Sequence, residues 1–310
     1  MKYWVGAAAI LIIAFFAALS GAVNEYFFYA AFVVLQFMVL ATAWNILGGY
    51  AGYVNFGTAA FFAIGSYTAV VLFKWLGAPL AAQIAAAAAV SGLLGFGVGL
   101  LTLRLRGIFF AIATVAIIFI METMMMNWRY VGGATGLQLL RPDVLQPFAS
   151  YTRMLFFVMA LLAVIAVSVA RYVQISWIGR GLRAIRDSEE AAEASGVPTL
   201  KLKLFACTVS GALMGAAGAP MPMYLSFIEP ASSFSLNYSV SALAMPMIGG
   251  TVHWLGPVLG ALLLGSIQQI VTVTISSEIN VLVIGVLLVL FVVFAPDGVL
   301  GLFKKLVKNR

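Results

Sequence analysis

Charge is scarce in this sequence. Its 310 residues include 17 Lys and Arg, 10 Asp and Glu and one His, so that 9% are charged, whereas soluble domains carry about 25%. So few charges cannot cover the surface of a soluble globular protein, which excludes a cytosolic enzyme. A single Cys excludes a secreted disulfide scaffold. An apolar content of 64% excludes a disordered chain.

The motifs that would let this chain power or catalyse a reaction are also absent. It has no G-x-x-x-x-G-K-[ST] loop for phosphate, and its one imidazole, His253, has no second His at metal-ligand spacing. Glu122 is the only acidic residue within a long apolar run, and no such run has a central Lys or Arg, so proton or sodium coupling has little to act through. We therefore expect no catalytic residue, no metal and no cofactor on this chain.

Long apolar runs are what the sequence has in abundance. Because backbone groups inside a bilayer must satisfy their own hydrogen bonds, an apolar run of roughly 20 residues predicts a membrane-spanning helix. Ten runs predict an all-α polytopic bundle that forms a single transmembrane domain over residues 1–310. Nine or eleven crossings are the alternatives, because the eighth run is short and the fifth adjoins its neighbours. The runs cover about residues 4–23, 26–47, 58–73, 80–101, 107–126, 154–172, 204–225, 238–250, 257–276 and 280–295.

Basic residues fall mainly on one side of this predicted bundle. With the N-terminus inside, the outer side receives only Lys74, Arg129, Arg141 and Arg153. The inner side receives Lys2, Arg104, Arg106, Arg171, Arg180, Arg183, Arg186, Lys201, Lys203, Lys304, Lys305, Lys308 and Arg310. Loop Lys and Arg resist translocation, so both termini are predicted to be cytoplasmic. The basic C-terminal tail would then lie near anionic membrane lipid, and nucleic-acid binding is not expected.

One large inner connection, residues 173–203, contains a predicted short helix from Ser188 to Ser195. Asp187 is a suitable N-cap, and Glu190 follows three residues later as in a capping box. Gly196 can close the C-terminus in a left-handed conformation. Small and acidic side chains on this helix suit contact with a basic partner surface, and a merely solvated loop helix is the alternative. The connection also carries Arg180, Arg183 and Arg186 upstream and Ala191 and Ala192 within the helix.

A break rich in glycine and asparagine interrupts the second and third runs. Unwound backbone at membrane depth is tolerated only where it is buried in protein or lines a wet cavity. We predict that the break lines part of a substrate pathway, with an ordinary inner turn as the alternative. The candidate residues are Asn45, Gly49, Gly52, Asn55 and Thr58.

A second polar cluster lies at the predicted outer mouth, between the seventh and eighth runs. Serines before a helix are often N-caps. The position also suits an outer gate or a contact with a soluble binding protein. The candidate residues are Glu229, Ser232, Ser233 and Asn237.

Several segments, in order along the chain, carry a family resemblance. Glu190, Ala191 and Ala192, followed after three residues by Gly196, match the EAA-x-x-x-G loop of importer permeases. The wider match consists of NILGGYAGYVNFGTAAFFAIGSYTA (Asn45–Ala69), GGATGL (Gly132–Leu137), GRGLRAIRDSEEAAEASGV (Gly179–Val197), SGALMGAAGA (Ser210–Ala219), GGTVHWLGPVLGALLLG (Gly249–Gly265) and FAPDGVLGL (Phe294–Leu302). Together these resemble the branched-chain amino-acid permeases of ATP-binding-cassette importers, on the LivM side of the LivH/LivM pair.

The resemblance implies a set of partners in the inner membrane of a bacterial cell. Members pair with a second, LivH-like permease, two ATPase subunits that bind ATP and Mg, and a periplasmic or lipid-anchored solute-binding protein. The loop at residues 173–203 would be the coupling loop that docks on the ATPase. Thr58 stands where family members often have a His, and relatives transport urea, short amides or other amino acids. Branched-chain or related amino acids are therefore the implied substrates.

Other classes of function make different predictions. A self-sufficient secondary carrier or channel for small polar solutes would transport without an ATPase. A membrane scaffold without a conduction path would not need the glycine and asparagine break. An integral-membrane enzyme is the least favoured, because no nucleophile and base are paired in the sequence.

Overall fold

The computed structural model describes residues 2–19, 24–140, 148–274, 279–294 and 298–302. These residues are mostly helical. In chain order the elements are α1 (Lys2–Leu19), α2 (Glu25–Ala51), α3 (Thr58–Leu76), α4 (Leu80–Thr102), α5 (Ile108–Asn127), β1 (Leu137–Gln138), α6 (Tyr151–Ile175), α7 (Trp177–Asp187), α8 (Glu189–Ala194), α9 (Thr199–Gly218), α10 (Met221–Leu225), β2 (Phe227–Ile228), α11 (Pro230–Ser233), α12 (Leu236–Gly249), α13 (Leu255–Thr274) and α14 (Ile279–Phe294).

An all-α polytopic membrane fold is confirmed, but the predicted number of spanning helices is not reached. Within the described ranges, seven helical stretches are long and apolar enough to cross a membrane: α2, α3, α4, α5, α6, α9 with α10, and α13. The runs expected at 4–23, 238–250 and 280–295 form shorter apolar helices. In the case of α12 the reason is local, because Gly250, with φ +111°, ends the helix after 14 residues.

Several predicted features lie outside the described residues. They are the span edges at 20–23, 275–276 and 295, the segment 295–297 of the C-terminal motif, and the basic residues Arg141, Lys304, Lys305, Lys308 and Arg310.

Helix α2 forms the centre of the bundle. It packs against α6, α9, α12 and α13, and its apolar side chains are buried around most of its circumference, as expected of a helix enclosed by others. Phe32, for example, is fully buried and stacks on the Tyr224 ring at 4.2 Å between centroids.

Small residues allow α3, α4 and α9 to cross at close range. A Cβ placed on Gly65 would lie 2.1 Å from the carbonyl oxygen of Gly215, so neither helix has room for a side chain there. Ser66 Oγ donates to the carbonyl oxygen of Gly218 at 2.8 Å across the same crossing. Close backbone approach through small residues is the usual way that membrane helices associate.

Two of the three glycines in the GxGxG run of α4 (Gly95, Gly97 and Gly99) lie close to α9. A Cβ on Gly95 would lie 2.8 Å from the carbonyl oxygen of Cys207, and one on Gly99 would lie 3.0 Å from Leu204. No atom of the described residues lies within 4 Å of the Cβ position of Gly97, so Gly97 takes no part in this packing. The reason is helical periodicity, because Gly97 lies on the opposite face of α4.

The end of the bundle that carries α7 and α8 is called the loop end. The Tyr3 ring at the start of α1 lies there, 5.3 Å from the Trp254 ring and 4.1 Å from the Arg171 guanidinium. Gly298 also lies at this end, since a Cβ on it would be 2.5 Å from the backbone nitrogen of Gly250. At the opposite end β1 pairs antiparallel with β2.

Candidate functional site

Helix α7 lies against the loop end with its apolar side inward. Leu182 and Ile185 are buried in a cluster with Tyr50 near the end of α2, whereas Arg180 is exposed. This arrangement follows from the amphipathic sequence of α7, in which apolar residues recur at helical spacing.

Of the three arginines predicted here, two contact backbone carbonyls of this chain. Arg186 Nη1 donates to the carbonyl oxygen of Gly49 at 3.2 Å, and Arg183 Nη1 donates to that of Gln174 at 3.4 Å. These contacts join α7 to the ends of α2 and α6. Arg180 is therefore the member of the set that faces outward.

The predicted short helix is present as α8, with its first cap shifted by one residue. Ser188 is the N-cap, and its hydroxyl oxygen accepts from the backbone nitrogen of Ala191 at 3.3 Å. Asp187, the expected cap, is instead the last residue of α7. Both residue types are good caps, and the end of α7 decides between them. Gly196 adopts φ +81°, which confirms the predicted left-handed end.

The outward face of α8 is small and acidic. Glu190, Ala191 and Glu193 are exposed, and the Glu190 side chain retains 83% of its accessible area. No return contact of a capping box is recorded for Glu190, whose Oε1 instead accepts from Arg106 Nη1 at 3.1 Å. Ala192 is buried, on the side of α8 that packs against α7 and α9. A partner can thus reach one side of α8 while the other side is packed.

A buried polar cluster beneath α8 was not predicted from the sequence. Lys203 Nζ lies 2.6 Å from Glu189 Oε1 and 3.0 Å from the Tyr53 hydroxyl oxygen, and it also donates to the carbonyl oxygen of Leu103 at 3.2 Å. The Tyr53 hydroxyl donates to the other carboxylate oxygen of Glu189. Side-chain exposure is 4% for Lys203 and 13% for Glu189. We refer to Glu189, Lys203 and Tyr53 as the Glu–Lys–Tyr cluster.

The cluster keeps Glu189 ionised. Burial alone would raise the pKa of the Glu189 carboxyl, but hydrogen bonds from Lys203 and Tyr53, together with the positive charges of Lys203 and Arg106, lower its pKa below the ordinary value. An ionised carboxylate is what a buried ammonium needs as a partner. No signal in the sequence distinguishes Glu189 from its neighbour Glu190, because the distinction depends on which face of α8 is packed.

The glycine and asparagine break forms an extended segment at residues 52–57, which turns back along the bundle. The backbone nitrogens of Gly52 and Tyr53 donate to carbonyl oxygens at the end of α2, and side chains of α2 and α5 satisfy two further backbone groups. Trp44 Nε1 donates to the carbonyl oxygen of Asn55 at 2.7 Å, and Thr114 Oγ1 accepts from the backbone nitrogen of Phe56 at 3.0 Å. Just beyond the segment, Ser239 Oγ accepts from the backbone nitrogen of Ala59 at 3.1 Å. Buried unwound backbone of this kind was predicted, and protein enclosure makes it tolerable.

The five pathway candidates differ in their surroundings. Asn45 is buried, and its side-chain amide donates to the carbonyl oxygen of Thr251 at 3.1 Å. Gly49 lies against the same Asn45 side chain, and Gly52 has φ +77° beside Arg186.

The remaining two candidates are also buried. Asn55 Oδ1 accepts from the backbone nitrogen of Gly57 at 2.8 Å. Thr58 is fully buried, and its hydroxyl oxygen has no partner among the described residues.

A pocket of about 280 Å³ lies against the extended segment. It is lined by Gly52, Tyr53, Val54, Gly107, Ile108 and Ala111. The extended segment and the first turn of α5 therefore border a space near the loop end, and Tyr53 of the Glu–Lys–Tyr cluster is one of the residues that line it.

The outer cluster surrounds two helix starts at the opposite end. Glu229 precedes α11, and its carbonyl oxygen accepts from the backbone nitrogen of Ser233 at 3.1 Å. Ser232 Oγ donates to the same carbonyl oxygen at 3.4 Å. Asn237 is exposed, and its backbone nitrogen donates to the capping hydroxyl of Ser235 at 3.3 Å. The residue that caps α12 through its side chain is thus Ser235, which was not among the site candidates.

Among the described residues, no set of three or more His, Cys, Asp and Glu side chains comes together that could hold a metal ion. Cys207 is buried with 1% exposure.

Comparison with known proteins supplies the family. The family described as "Branched-chain amino acid transport system / permease component" matches residues 26–292. The chain is 27% identical to the LivM high-affinity branched-chain amino acid transport system permease protein of Salmonella typhimurium, over 90% of this chain and 71% of that protein.

Similarity over shorter stretches of the chain extends to other permeases. The chain is 29% identical to the probable LivH branched-chain amino acid transport permease protein of Methanocaldococcus jannaschii, over 41% of this chain and 42% of that protein. It is 31% identical to the ribose import permease protein RbsC of Haemophilus influenzae, over 40% of this chain and 39% of that protein. No solved structure matches significantly. Because the family match covers most of its length, the chain belongs to the permease components of branched-chain amino acid transport systems.

Proposed function

We propose that this chain forms half of the translocation pathway of an ATP-binding-cassette importer for branched-chain or related amino acids. A LivH-like second permease would form the other half. Two ATPase subunits would bind ATP and Mg, and a periplasmic or lipid-anchored binding protein would deliver substrate. The observation that carries the proposal is α8, whose exposed face offers Glu190, Ala191 and Glu193 while its other face is packed on the bundle.

The topology that fits this function has ten crossings, with both termini in the cytoplasm of a bacterial cell. Support comes from contacts at the loop end, where the Tyr3 ring meets Trp254 and where Gly298 meets Gly250. Arg106, Arg180 and Lys201 are exposed near α7 and α8, as expected for a cytoplasmic surface rich in Lys and Arg.

Transport in this proposal is alternating access driven by nucleotide. ATP binding to the ATPase dimer moves the docked α8, and the attached helices change between outward-open and inward-open arrangements. Nucleotide can shift this equilibrium only by as much as its affinity differs between the two states. The pathway candidates are the extended segment at 52–57 and the residues around it, and the outer cluster at Glu229 and Asn237 is the candidate contact for the binding protein.

The test is a substitution on the exposed face of α8. Glu190→Arg reverses the charge that a basic ATPase surface would meet, and Gly196→Ala strains the left-handed end of α8. We expect both variants to lose co-purification with the ATPase or the hydrolysis of ATP that loaded binding protein stimulates. Gly97→Ala is the matched control, because its Cβ meets nothing within 4 Å. If co-purification and stimulated ATP hydrolysis are both unchanged in the two test variants, α8 does not couple this chain to the ATPase.

A further inference from the structure

The Glu–Lys–Tyr cluster joins three elements at one buried point. Glu189 belongs to α8, Lys203 to α9, and Tyr53 to the extended segment at 52–57. The carbonyl oxygen of Leu103 adds the end of α4. A partner could contact the exposed side of α8, and the extended segment is unwound backbone beside a pocket. The cluster therefore connects the helix that a partner can reach to the segment that borders the pocket.

Burial makes this junction dependent on its partners. An ammonium that is 4% exposed needs a carboxylate and further acceptors, since an unpaired buried charge is strongly unfavourable. Lys201, two residues away on α9, is exposed, which shows that a lysine at this end of the helix can readily reach solvent. Lys203 instead turns inward and makes three polar contacts.

Tyr53 is suited to carry displacement into the membrane region. Its hydroxyl bonds Glu189, and its ring packs edge-on against Phe110 at 5.2 Å between centroids. Two residues further on, the carbonyl oxygen of Asn55 is held by Trp44 of α2. A shift of Glu189 therefore acts first on the Tyr53 end of the extended segment, while the Asn55 end stays fixed to α2.

We propose that the Glu–Lys–Tyr cluster is the link through which movement of α8 reaches the extended segment at 52–57. This inference rests on the proposed function and adds to it the route of coupling. Glu189, Lys203 and Tyr53 are positioning residues, because they act through the segment without needing to touch substrate. The nearest competing route runs through α7, where Arg186 contacts the carbonyl oxygen of Gly49.

The experiment reads movement of the segment directly. Val54 is 40% exposed beside the pocket, and the only cysteine of the chain, Cys207, is 1% exposed. A Val54→Cys variant, assembled with its second permease and ATPases in liposomes, is labelled with a maleimide with and without ATP and vanadate. We expect the nucleotide to change the labelling rate severalfold. Tyr53→Phe, which keeps the ring and removes the hydroxyl, should bring the two rates within twofold of each other.

Further variants distinguish loss of the proposed link from misfolding and from failure of the proposed function. Lys203→Met is the second test variant, and its effect should not add to that of Tyr53→Phe if both act through one cluster. Lys201→Met, on the exposed side of the same helix, should retain the full nucleotide response. Co-purification of the ATPase is measured for each variant.

Each outcome has a definite reading. A full nucleotide response in Tyr53→Phe and Lys203→Met, with ATP-driven uptake intact, overturns the link and leaves the proposed function standing. Loss of the response in Arg186→Met alone would assign the route to α7 and also overturn it. Absence of ATP-driven uptake in the otherwise unaltered complex would instead contradict the proposed function.

Discussion

The close crossing of α3 and α9 gives the sharpest test of the packing. In Gly65→Ala, the new Cβ would lie 2.1 Å from the carbonyl oxygen of Gly215, whereas ordinary contact begins near 3.4 Å. The two helices would have to separate by about 1.3 Å, the difference between these distances. A movement of this size would break the hydrogen bond of 2.8 Å from Ser66 to Gly218.

The expected loss of stability follows from these contacts. Overpacking a tight site costs about 1–3 kcal/mol, and each interhelical hydrogen bond in a membrane protein contributes about 0.6 kcal/mol. Alanine recovers about 0.5–1 kcal/mol through its better helix propensity. The free energy of unfolding should therefore fall by about 1–3 kcal/mol.

A thiol-reactive dye provides the assay. The thiol of Cys207 in α9 is buried, so it reacts only when the helices open. In detergent, Gly65→Ala should lower the midpoint of thermal unfolding by about 5 °C. Gly97→Ala, whose Cβ has open space, should leave the midpoint unchanged or raise it slightly. Equal midpoints in the two variants would refute the close crossing.

Three other predictions concern the loop end and the opposite end. Gly52→Ala should reduce uptake and destabilise the turn by about 1–2 kcal/mol, because Gly52 has φ +77°. Gly77→Ala is the control, because Gly77 has φ +56° but no atom of the described residues lies within 4 Å of its Cβ position. Equal uptake by the two variants would show that the contacts around Gly52 are dispensable. Because the pKa of Glu189 is lowered in the folded chain, its stabilisation of α8 is fully present above the ordinary pKa of about 4.3 and is lost as the pH falls through the lowered pKa. Hydrogen exchange of the α8 amides should reveal this loss at acidic pH, and Glu189→Gln should remove the pH dependence; persistence of the same dependence would assign it to another group. Arg153→Met should lower the thermal midpoint by a few degrees, because it removes an ion pair of 2.7 Å to Glu25 in which the Arg153 side chain is only 10% exposed; an unchanged midpoint would show that the pair contributes nothing.

The structural features that were predicted correctly depend mostly on residues close to one another in the sequence. The left-handed end of α8 at Gly196 follows from residue chemistry within a few positions, and so does the break at 52–57. The N-cap of α8 was misplaced by one residue because Asp187 and Ser188 are both capable caps. Neither local pattern nor composition decides between adjacent caps when the end of the preceding helix sets the boundary.

Long-range pairing explains what the sequence did not reveal. Tyr53 and Glu189 are 136 positions apart, and Tyr53 and Lys203 are 150 apart, so no spacing rule joins them. The acceptor for Phe56 likewise comes from Thr114 of α5. Such contacts depend on how the helices are arranged, and that arrangement is set by close crossings such as the one at Gly65.

The ten predicted crossings are not confirmed, because apolar runs alone do not fix the length of each helix. Hydropathy registers an apolar run of about the right length, but it does not register where a helix ends inside the run. Pro220 separates α9 from α10, although the two together still form one stretch long enough to cross a membrane, and Gly250 ends α12 after 14 residues. The membrane class nevertheless follows from the scarcity of charge, and its helical nature follows from the long apolar runs.

The central claim is that this chain moves solute only when an ATPase acts on α8. Its most direct test is uptake of radiolabelled leucine into liposomes that contain either this chain alone or the chain with its second permease, ATPases and binding protein. We predict accumulation only in the complete assembly and only with ATP. Accumulation against a gradient by the chain alone, without any ATPase, would contradict the account.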